Sequence, residues 1–329
     1  MNTREDKTVY MKKIYGIMPK KLVNSFEIVH YFGLKFGILD FFDSLIFKHR
    51  GRIGKKFEHY RYEKVKQYLK KKYMKIDILE SQMKQLKKES KILKQSYIWI
   101  FWWQGVSEDT PDIVKQVIKS VEKYKGNHEI VILNKENISK YIQIPQFTYE
   151  KLKSGIISIP HFADIIRTKL LYEYGGIWMD ATLYMTDTFS NDIYNNYFYT
   201  INHTQRADYH VCKGKWSTFF LASAKGNPFF LYLTDMQLKY WKYENKAICY
   251  LIIDCFIALA YENNEIVKNM IDSVPINHVN VFEMQKESNS LYTREKYVNL
   301  CKNGYLHKLT YKRKNDNSEK TIYNYILNN

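Results

Sequence analysis

The chain has 329 residues, of which 45% are hydrophobic and 16% aromatic, so it is long and apolar enough to bury a sizeable core. This composition excludes an intrinsically disordered protein. The net charge of +17 is uneven, because residues 1–96 hold 24 Lys or Arg against 10 Asp or Glu and the remainder carries only +3. The four cysteines show no CxxC spacing, which predicts free thiols in a reducing compartment. We find no apolar signal-peptide core and no run of about 18 apolar residues, so neither a signal peptide nor a spanning helix is expected.

Residues 1–95 are predicted to form a basic helical N-terminal region. Residues 29–48 combine apolar and aromatic side chains with polar residues at helical spacing, which predicts one amphipathic helix. Lysines and arginines flank this segment on both sides, as suits the surface of an anionic membrane. Packing against the neighbouring part of the chain is the alternative.

A second helix is predicted over residues 58–95. Positions from Tyr62 to Leu93 follow an unbroken three-four spacing that is mostly apolar, as in the seam of a coiled coil. The seam could pack within the chain or join two copies in a homodimer.

From Ser96 onward the sequence alternates strands with helices. The predicted strands are 97–103, 129–133, 177–180, 198–202 and 217–222. The predicted helices are 110–124, 134–142, 160–174, 228–243, 248–262 and 265–272. This order predicts an α/β domain over residues 96–329, with a mainly parallel sheet flanked by helices.

The most informative segment runs from Pro160 to Thr182. Pro160 suits the first turn of a helix, and Gly175 and Gly176 can adopt the left-handed backbone that ends one. Asp180 then follows a bulky apolar strand. Open α/β sheets bind ligands at the C-terminal ends of their strands, so Asp180 is a candidate ligand-binding acid, although it could also cap a turn.

Three further charged residues are candidates for this site. Asp164 and Arg167 lie three residues apart and so share a helix face, where they could contact a ligand or form an ordinary intrahelical ion pair. Asp254 lies within an apolar helix and therefore needs either a buried partner or a ligand.

The segment resembles the capsular-polysaccharide-synthesis group of glycosyltransferases, which have a GT-A fold and are related to family 32 and to the sugar-transferring clostridial toxins. The residues that carry the resemblance are Ala163, Asp164, Arg167, Gly175, Gly176 and Asp180. It extends over roughly residues 96–312. The resemblance implies a GT-A-like, Rossmann-type mixed sheet flanked by helices, preceded by the N-terminal helical extension.

By this resemblance, Asp164 and Arg167 bind the donor sugar and its phosphate side, and Asp180 is the first acid of the family's Asp-x-Asp motif. Thr182 replaces the second acid. Asp180 and Thr182 are therefore the predicted ligands of Mn²⁺ or Mg²⁺, with one carboxylate instead of two. Asp180 and Asp254 are the predicted catalytic residues.

Further donor contacts are expected at both ends of the domain. Trp102, Trp103 and Gln104 could pack against the base of the nucleotide, although each tryptophan could equally belong to the core. His307 and Lys308 are predicted to contact the donor and, with Arg167, to meet the charge of its diphosphate. Lys213 or Lys215 could also supply such a charge.

The resemblance implies a bacterial enzyme that moves a sugar from a nucleotide sugar, expected to be UDP-linked, to a growing capsular or surface polysaccharide unit. We expect a lipid-linked saccharide acceptor, retention of the anomeric configuration, and peripheral attachment at the cytoplasmic, inner face of the cell membrane. The alternatives are a basic nucleic-acid-binding protein and a non-catalytic coiled-coil scaffold. The sequence shows no recognisable nucleic-acid-binding module, so no nucleic-acid partner is expected.

Overall fold

The computed structural model describes residues 19–47, 51–87, 89–203, 210–302, 304–312 and 320–328. The predicted flanking cations at positions 12, 13, 48 and 50 lie outside these ranges. The helices are α1 (Lys20–Phe32), α2 (Leu34–Phe41), α3 (Gly51–Tyr73), α4 (Ile76–Met83), α5 (Asp112–Tyr124), α6 (Gln146–Lys153), α7 (Ile159–Glu173), α8 (Pro228–Tyr243), α9 (Ile252–Asn263), α10 (Glu265–Asp272), α11 (Glu283–Lys286), α12 (Arg294–Cys301) and α13 (Ile322–Asn328). The strands are β1 (Tyr97–Phe101), β2 (Glu129–Leu133), β3 (Gly176–Asp180), β4 (Leu183–Met185), β5 (Phe198–Thr200), β6 (Phe220–Ser223) and β7 (Leu306–Lys308).

A mixed five-stranded sheet in the order β2-β1-β3-β6-β5 forms the centre of the fold. Strand β1 pairs in parallel with β2 and β3, whereas β6 runs antiparallel to both β3 and β5. Helices flank this sheet, which confirms the predicted α/β class and the mixed sheet that the resemblance implies. The mainly parallel sheet predicted from the order of the elements is wrong, because two of the four strand pairings are antiparallel. A separate antiparallel pair, β4 with β7, was not predicted, because three-residue strands carry too little alternation to be recognised.

The turn between α7 and β3 depends on its two glycines. Gly175 and Gly176 have φ values of 70° and 89°, as predicted for a left-handed helix end. A Cβ atom on Gly176 would lie 2.4 Å from the carbonyl oxygen of Tyr97, so this position also needs glycine for space. The close approach lets β3 pair with β1 from its first residues and sets the position of Asp180 at its other end.

The predicted amphipathic helix over residues 29–48 is wrong in one respect, because the chain breaks at Gly33. This residue has a φ of 88° and separates α1 from α2. The two helices pack closely against each other, and a Cβ atom on Gly37 would lie 2.0 Å from Cγ2 of Val29. Gly33 therefore allows the turn between the two helices, and Gly37 allows their close contact. A π-helical turn, Phe42–Phe47, follows α2.

The predicted helix over residues 58–95 is also divided, since α3 ends at Tyr73 and α4 begins at Ile76. The break lets both halves of the seam reach the body of the protein. Val65, Leu69, Leu79 and Met83 are buried in the same hydrophobic cluster as the central sheet. The seam therefore packs within the chain, against α8 and α9.

Polar contacts reinforce this packing. The carboxylate of Glu244, which follows α8, accepts hydrogen bonds from Tyr68 at 2.7 Å and from Lys72 at 2.6 Å. Lys66 of α3 pairs with Glu262 of α9. On the other side of α3, Arg61 is buried and contacts Asp40 and Asp43 at 2.8 Å each. These contacts thus hold α3 to α8 and α9, and also to α2 and the π-helical turn.

Two smaller differences from the predicted elements lie between β2 and α7. Residues 134–142, predicted as a helix, contain only a 3₁₀ turn at Ile138–Lys140, and the helix α6 that follows was not predicted.

All four cysteines are free thiols, as expected. Among the described helices, we find none that combines the length and the apolar character needed to cross a bilayer.

Candidate active site

A cleft of about 920 Å³ opens at the C-terminal ends of β1 and β3. The parallel register places Phe101 beside Asp180, so both strands deliver their next residues to the same edge of the sheet. The cleft brings together nine of the predicted site residues: Trp102, Trp103, Gln104, Asp164, Arg167, Asp180, Thr182, Asp254 and Lys308.

Arg167 is the buried centre of the charged wall. One terminal nitrogen of its guanidinium lies 3.1 Å from Oδ1 of Asp164 and 3.7 Å from Oδ1 of Asp180, and the other donates to the carbonyl oxygen of Thr218. Its guanidinium carbon lies 4.9 Å from the centre of the Trp178 ring. The Asp164–Arg167 pair therefore forms within the helix and also reaches the carboxylate at the end of β3.

Lys308 joins the two residues predicted as metal ligands. Its Nζ donates to Oδ2 of Asp180 at 2.7 Å and to Oγ1 of Thr182 at 2.8 Å. The pairing of β4 with β7 fixes this contact, because Lys308 lies opposite Leu183, the residue that directly follows Thr182. Trp178 donates from Nε1 to the other oxygen of Asp180 at 3.1 Å. Both carboxylate oxygens of Asp180 are thus held.

These surroundings separate the acidities of the carboxyl groups. Burial favours the neutral form of Asp180, but the charges of Lys308 and Arg167 outweigh burial and lower its pKa. Burial dominates at Asp164 and raises its pKa to about 7, although Arg167 opposes the shift. Such separated pKa values in one cleft are typical of functional sites.

Asp254 lies in the first turn of α9 and is 5% exposed. Its Oδ1 accepts a hydrogen bond of 2.9 Å from Nε1 of Trp216, so it has the buried partner that its apolar helix requires. Burial raises the pKa of Asp254 to about 6, which the hydrogen bond from Trp216 partly opposes. Asp254 also lines the cleft, and its catalytic role stays a prediction.

Aromatic side chains also line the cleft. Trp102 packs edge-to-face with Tyr311, with 5.4 Å between ring centres, and Trp103 packs in the same way against Phe162 at 5.8 Å. Gln104 is exposed beside them. Neither tryptophan is fully buried, so both offer surface to the cleft.

The prediction for His307 is wrong in its location. Side chains of a strand alternate between its two faces, so His307 points away from the cleft that Lys308 lines. His307 is 1% exposed, its Nε2 lies 3.2 Å from Oγ1 of Thr186, and burial lowers its pKa to about 3. Lys213 and Lys215 do not line the cleft either, and Lys215 pairs with Asp272 at 2.5 Å.

The predicted metal site stays a prediction, and the contacts of Asp180 and Thr182 fit it poorly. Divalent Mn²⁺ or Mg²⁺ needs free oxygen ligands, whereas Oδ2 of Asp180 and Oγ1 of Thr182 both face the ammonium of Lys308. Within the described ranges, no group of three or more His, Cys, Asp or Glu side chains is arranged to hold a metal ion.

The segment before β6 reaches the site, although it was not predicted as part of it. Thr218 supplies the carbonyl oxygen that holds Arg167, and Phe219 accepts the backbone N–H of Asp180 at 3.0 Å. The Phe219 ring also lies 4.9 Å from Nζ of Lys308. Only the antiparallel pairing of β6 with β3 reveals that these residues reach the site, because nothing in their local sequence indicates it.

A second cavity of about 850 Å³ adjoins the cleft. It lies between α1, α2 and α3 on one side and the segments 154–161 and 245–250 on the other. The two cavities share Pro160, His161 and Tyr250, of which Tyr250 is 67% exposed. His161 ties the shared wall together through Ser158 at 2.9 Å and the carbonyl oxygen of Tyr250 at 3.0 Å.

Three comparisons relate the chain to known proteins. The family described as "Capsular polysaccharide synthesis protein" matches residues 46–326. The chain is also similar to O-glycosyltransferase braB of Annulohypoxylon truncatum, with 27% identity over 92 residues, which are 26% of this chain and 22% of that protein. The chain thus spans about a fifth of that relative's length. Among solved structures, it is similar to PaToxG Glycosyltransferase, with 16% identity, a TM-score of 0.41, and coverage of 78% of this chain and 99% of that one. Because the family match covers well over half of its length, the chain belongs to the capsular polysaccharide synthesis protein family.

Proposed function

We propose that this protein is a glycosyltransferase that uses a nucleotide-sugar donor. The observation that carries the proposal is the cleft at the ends of β1 and β3, where aromatic surface lies beside Arg167, Asp180 and Lys308. A nucleotide sugar needs both features, because its base is a flat aromatic surface and its diphosphate is an anion. The family membership and the names of the similar proteins support the same reaction.

The donor's parts correspond to the parts of the cleft. Trp102 and Trp103 provide the aromatic wall for the base, which we propose to be uracil. Arg167 and Lys308 are the cations for the diphosphate. Asp164 and Asp254 are buried carboxyl groups that can accept hydrogen bonds from sugar hydroxyls.

The proposed transfer retains the anomeric configuration through attack on the same face from which the diphosphate leaves. The bond between the sugar C1 and the diphosphate oxygen breaks, and its electron pair goes to that oxygen. The acceptor oxygen forms the new bond to C1, and its proton passes to the departing diphosphate. This route needs no enzyme nucleophile. NMR of the product would test it, since an inverted anomeric centre contradicts the proposal.

We further propose that the acceptor is a lipid-linked saccharide of a capsular or surface polysaccharide. The second cavity supports this, because it leads from the cleft to the N-terminal helices and is lined by polar side chains that suit sugar hydroxyls. The exposed side chains of Leu34, Ile38 and Phe42 follow at intervals of four and form one apolar stripe on these helices.

Basic residues accompany that stripe. Lys20, Lys21, Lys35, Arg52 and Lys55 are exposed on α1, α2 and α3. Each cation near an anionic bilayer contributes on the order of 1 kcal/mol, so several suffice for peripheral attachment at the inner face of a membrane. Sedimentation with phosphatidylserine vesicles at low and high salt tests this part, and equal recovery with neutral vesicles would contradict it.

A thermal-shift panel tests the donor proposal. The panel compares UDP-, GDP- and ADP-linked sugars with the free sugars, because a ligand that binds only the native state raises the unfolding temperature. We expect a shift with a nucleotide sugar and none with a free sugar, and a smaller shift for Trp102→Ala. A panel without any nucleotide-dependent shift would contradict the proposed function.

A further inference from the structure

Lys308 contacts both residues that the resemblance implies as metal ligands. Its Nζ lies 2.7 Å from Oδ2 of Asp180 and 2.8 Å from Oγ1 of Thr182. One ammonium thus bridges the two side chains whose spacing, with a residue between them, is that of the motif's metal ligands. The bridge is built into the fold, because the backbone N–H of Lys308 donates to Val281 at 2.7 Å and that of Leu309 to Thr182 at 2.8 Å.

The charges agree with this arrangement. Two carboxylates that hold a divalent cation sum to zero, and one carboxylate with one ammonium also sums to zero. Thr182 in place of the second acid removes one negative charge, and Lys308 in place of a divalent ion removes one positive charge. The sum of the charges therefore stays at zero. A divalent ion added to the present pair would leave the group with an excess of two positive charges in a cleft where Arg167 is already buried at 6% exposure.

Lys308 also retains the capacity to bind a ligand. An ammonium has three N–H donors, and the contacts with described residues use two of them. Its side chain is 20% exposed and lines the cleft. Arg167 provides the second cation of the same wall, with one terminal nitrogen 3.7 Å from Asp180.

We propose that Lys308, held by Asp180 and Thr182 and assisted by Arg167, binds the donor's diphosphate in place of a divalent metal, so that the protein recognises nucleoside diphosphates without one. This inference rests on the proposed function. When the bond from C1 to the diphosphate oxygen breaks, that oxygen takes the electron pair and the ammonium stabilises its charge without giving up a proton. The acceptor's proton still passes to the diphosphate.

Calorimetric titration with UDP, and with GDP and ADP in parallel, tests the inference on the full-length protein. Each titration is done once in EDTA and once in Mn²⁺. We expect wild-type affinity for the preferred nucleotide to be equal in the two buffers. Lys308→Met should weaken binding in EDTA by roughly 10- to 100-fold, because a hydrogen bond to a charged group is lost. Mn²⁺ should restore part of this loss, since Asp180 and Thr182 are then free to bind it.

Two further variants separate charge from packing. Lys308→Arg keeps the cation and should retain metal-independent binding. Lys169→Met is the matched control, because Lys169 pairs with Glu173 at the same 2.7 Å and is 23% exposed but lies outside the cleft. It should bind the nucleotide as the wild type does in both buffers.

The outcomes distinguish this inference from the proposed function. Wild-type binding that requires Mn²⁺ would overturn the inference and leave the proposed function intact. Unchanged binding by Lys308→Met in EDTA would do the same. The absence of nucleoside diphosphate binding in both buffers would contradict both proposals.

Discussion

Arg167 should stabilise the fold mainly by compensating two buried carboxyl groups, and its replacement by methionine tests this. Its terminal nitrogen lies 3.1 Å from Asp164 and 3.7 Å from Asp180. At an effective dielectric constant of about 20, these distances correspond to roughly 5 and 4 kcal/mol of attraction. Desolvation offsets much of this attraction, but removal of one partner leaves buried charge. We therefore expect Arg167→Met to lower the free energy of unfolding by about 3–5 kcal/mol.

The loss should depend on Asp164 and on pH. In the background of Asp164→Asn, Arg167→Met should cost about 1–3 kcal/mol less, because one of the uncompensated carboxyl groups is gone. The pKa of Asp164 is already raised to about 7, and it must rise further without Arg167. When the pKa of a carboxyl group is higher in the folded than in the unfolded state, the free energy of unfolding falls as pH rises towards the folded-state pKa. The cost of Arg167→Met should therefore be larger at pH 8 than at pH 6.

Urea unfolding of the wild type, both single variants and the double variant at the two pH values measures these energies. The surface pair of Lys169 and Glu173 on the same helix is the control, and its coupling should be only about 0.3–0.5 kcal/mol. An equal, pH-independent cost of Arg167→Met in both Asp164 backgrounds would refute the role assigned to the arginine.

Two other variants test the surroundings of the site. Asp254→Asn should gain up to about 3 kcal/mol of stability relative to the wild type as pH rises from 4 to 7, because the pKa of the wild-type carboxyl is raised to about 6 and its ionisation lowers the free energy of unfolding. Urea unfolding across this range measures the difference, with the exposed Asp109→Asn as the control. Parallel curves for the wild type and Asp254→Asn would contradict the prediction. Gly176→Ala should lower the free energy of unfolding by about 2–5 kcal/mol, since it adds a backbone clash to an unfavourable φ, whereas Gly155→Ala, with a φ of 78° and open space around it, should cost only about 1–2 kcal/mol. Equal costs in the two glycine variants would show that the close approach at Gly176 does not matter.

The sequence predicted the part of the site that local rules determine. Pro160, the two glycines and the apolar run before Asp180 have fixed positions relative to one another, so helix, turn and strand follow from residue types alone. The alternation of strands and helices predicted the α/β class but no strand order; the structure places β1 beside β3, which brings Trp102 and Asp180 to one edge.

The remaining part depends on contacts between distant segments. His307 and Lys308 are neighbours in sequence, and only the pairing of β7 with β4 decides which of them faces the cleft. Thr218 and Phe219 reach the site through the antiparallel strand β6. The seam of α3 and α4 was ambiguous for a similar reason, because an apolar stripe does not indicate which surface covers it.

The most direct test of the central claim is the release of nucleoside diphosphate from nucleotide sugars by the wild type and by Asp180→Asn, with Asp109→Asn as the control. Asp180 pairs with Lys308 at 2.7 Å and lies 3.7 Å from Arg167. Asp180→Asn should therefore displace the two cations that are proposed to bind the diphosphate. We predict slow hydrolysis of one nucleotide sugar by the wild type and by Asp109→Asn, and a loss of roughly 100-fold or more in Asp180→Asn. Equal turnover in all three proteins would contradict the account of this site.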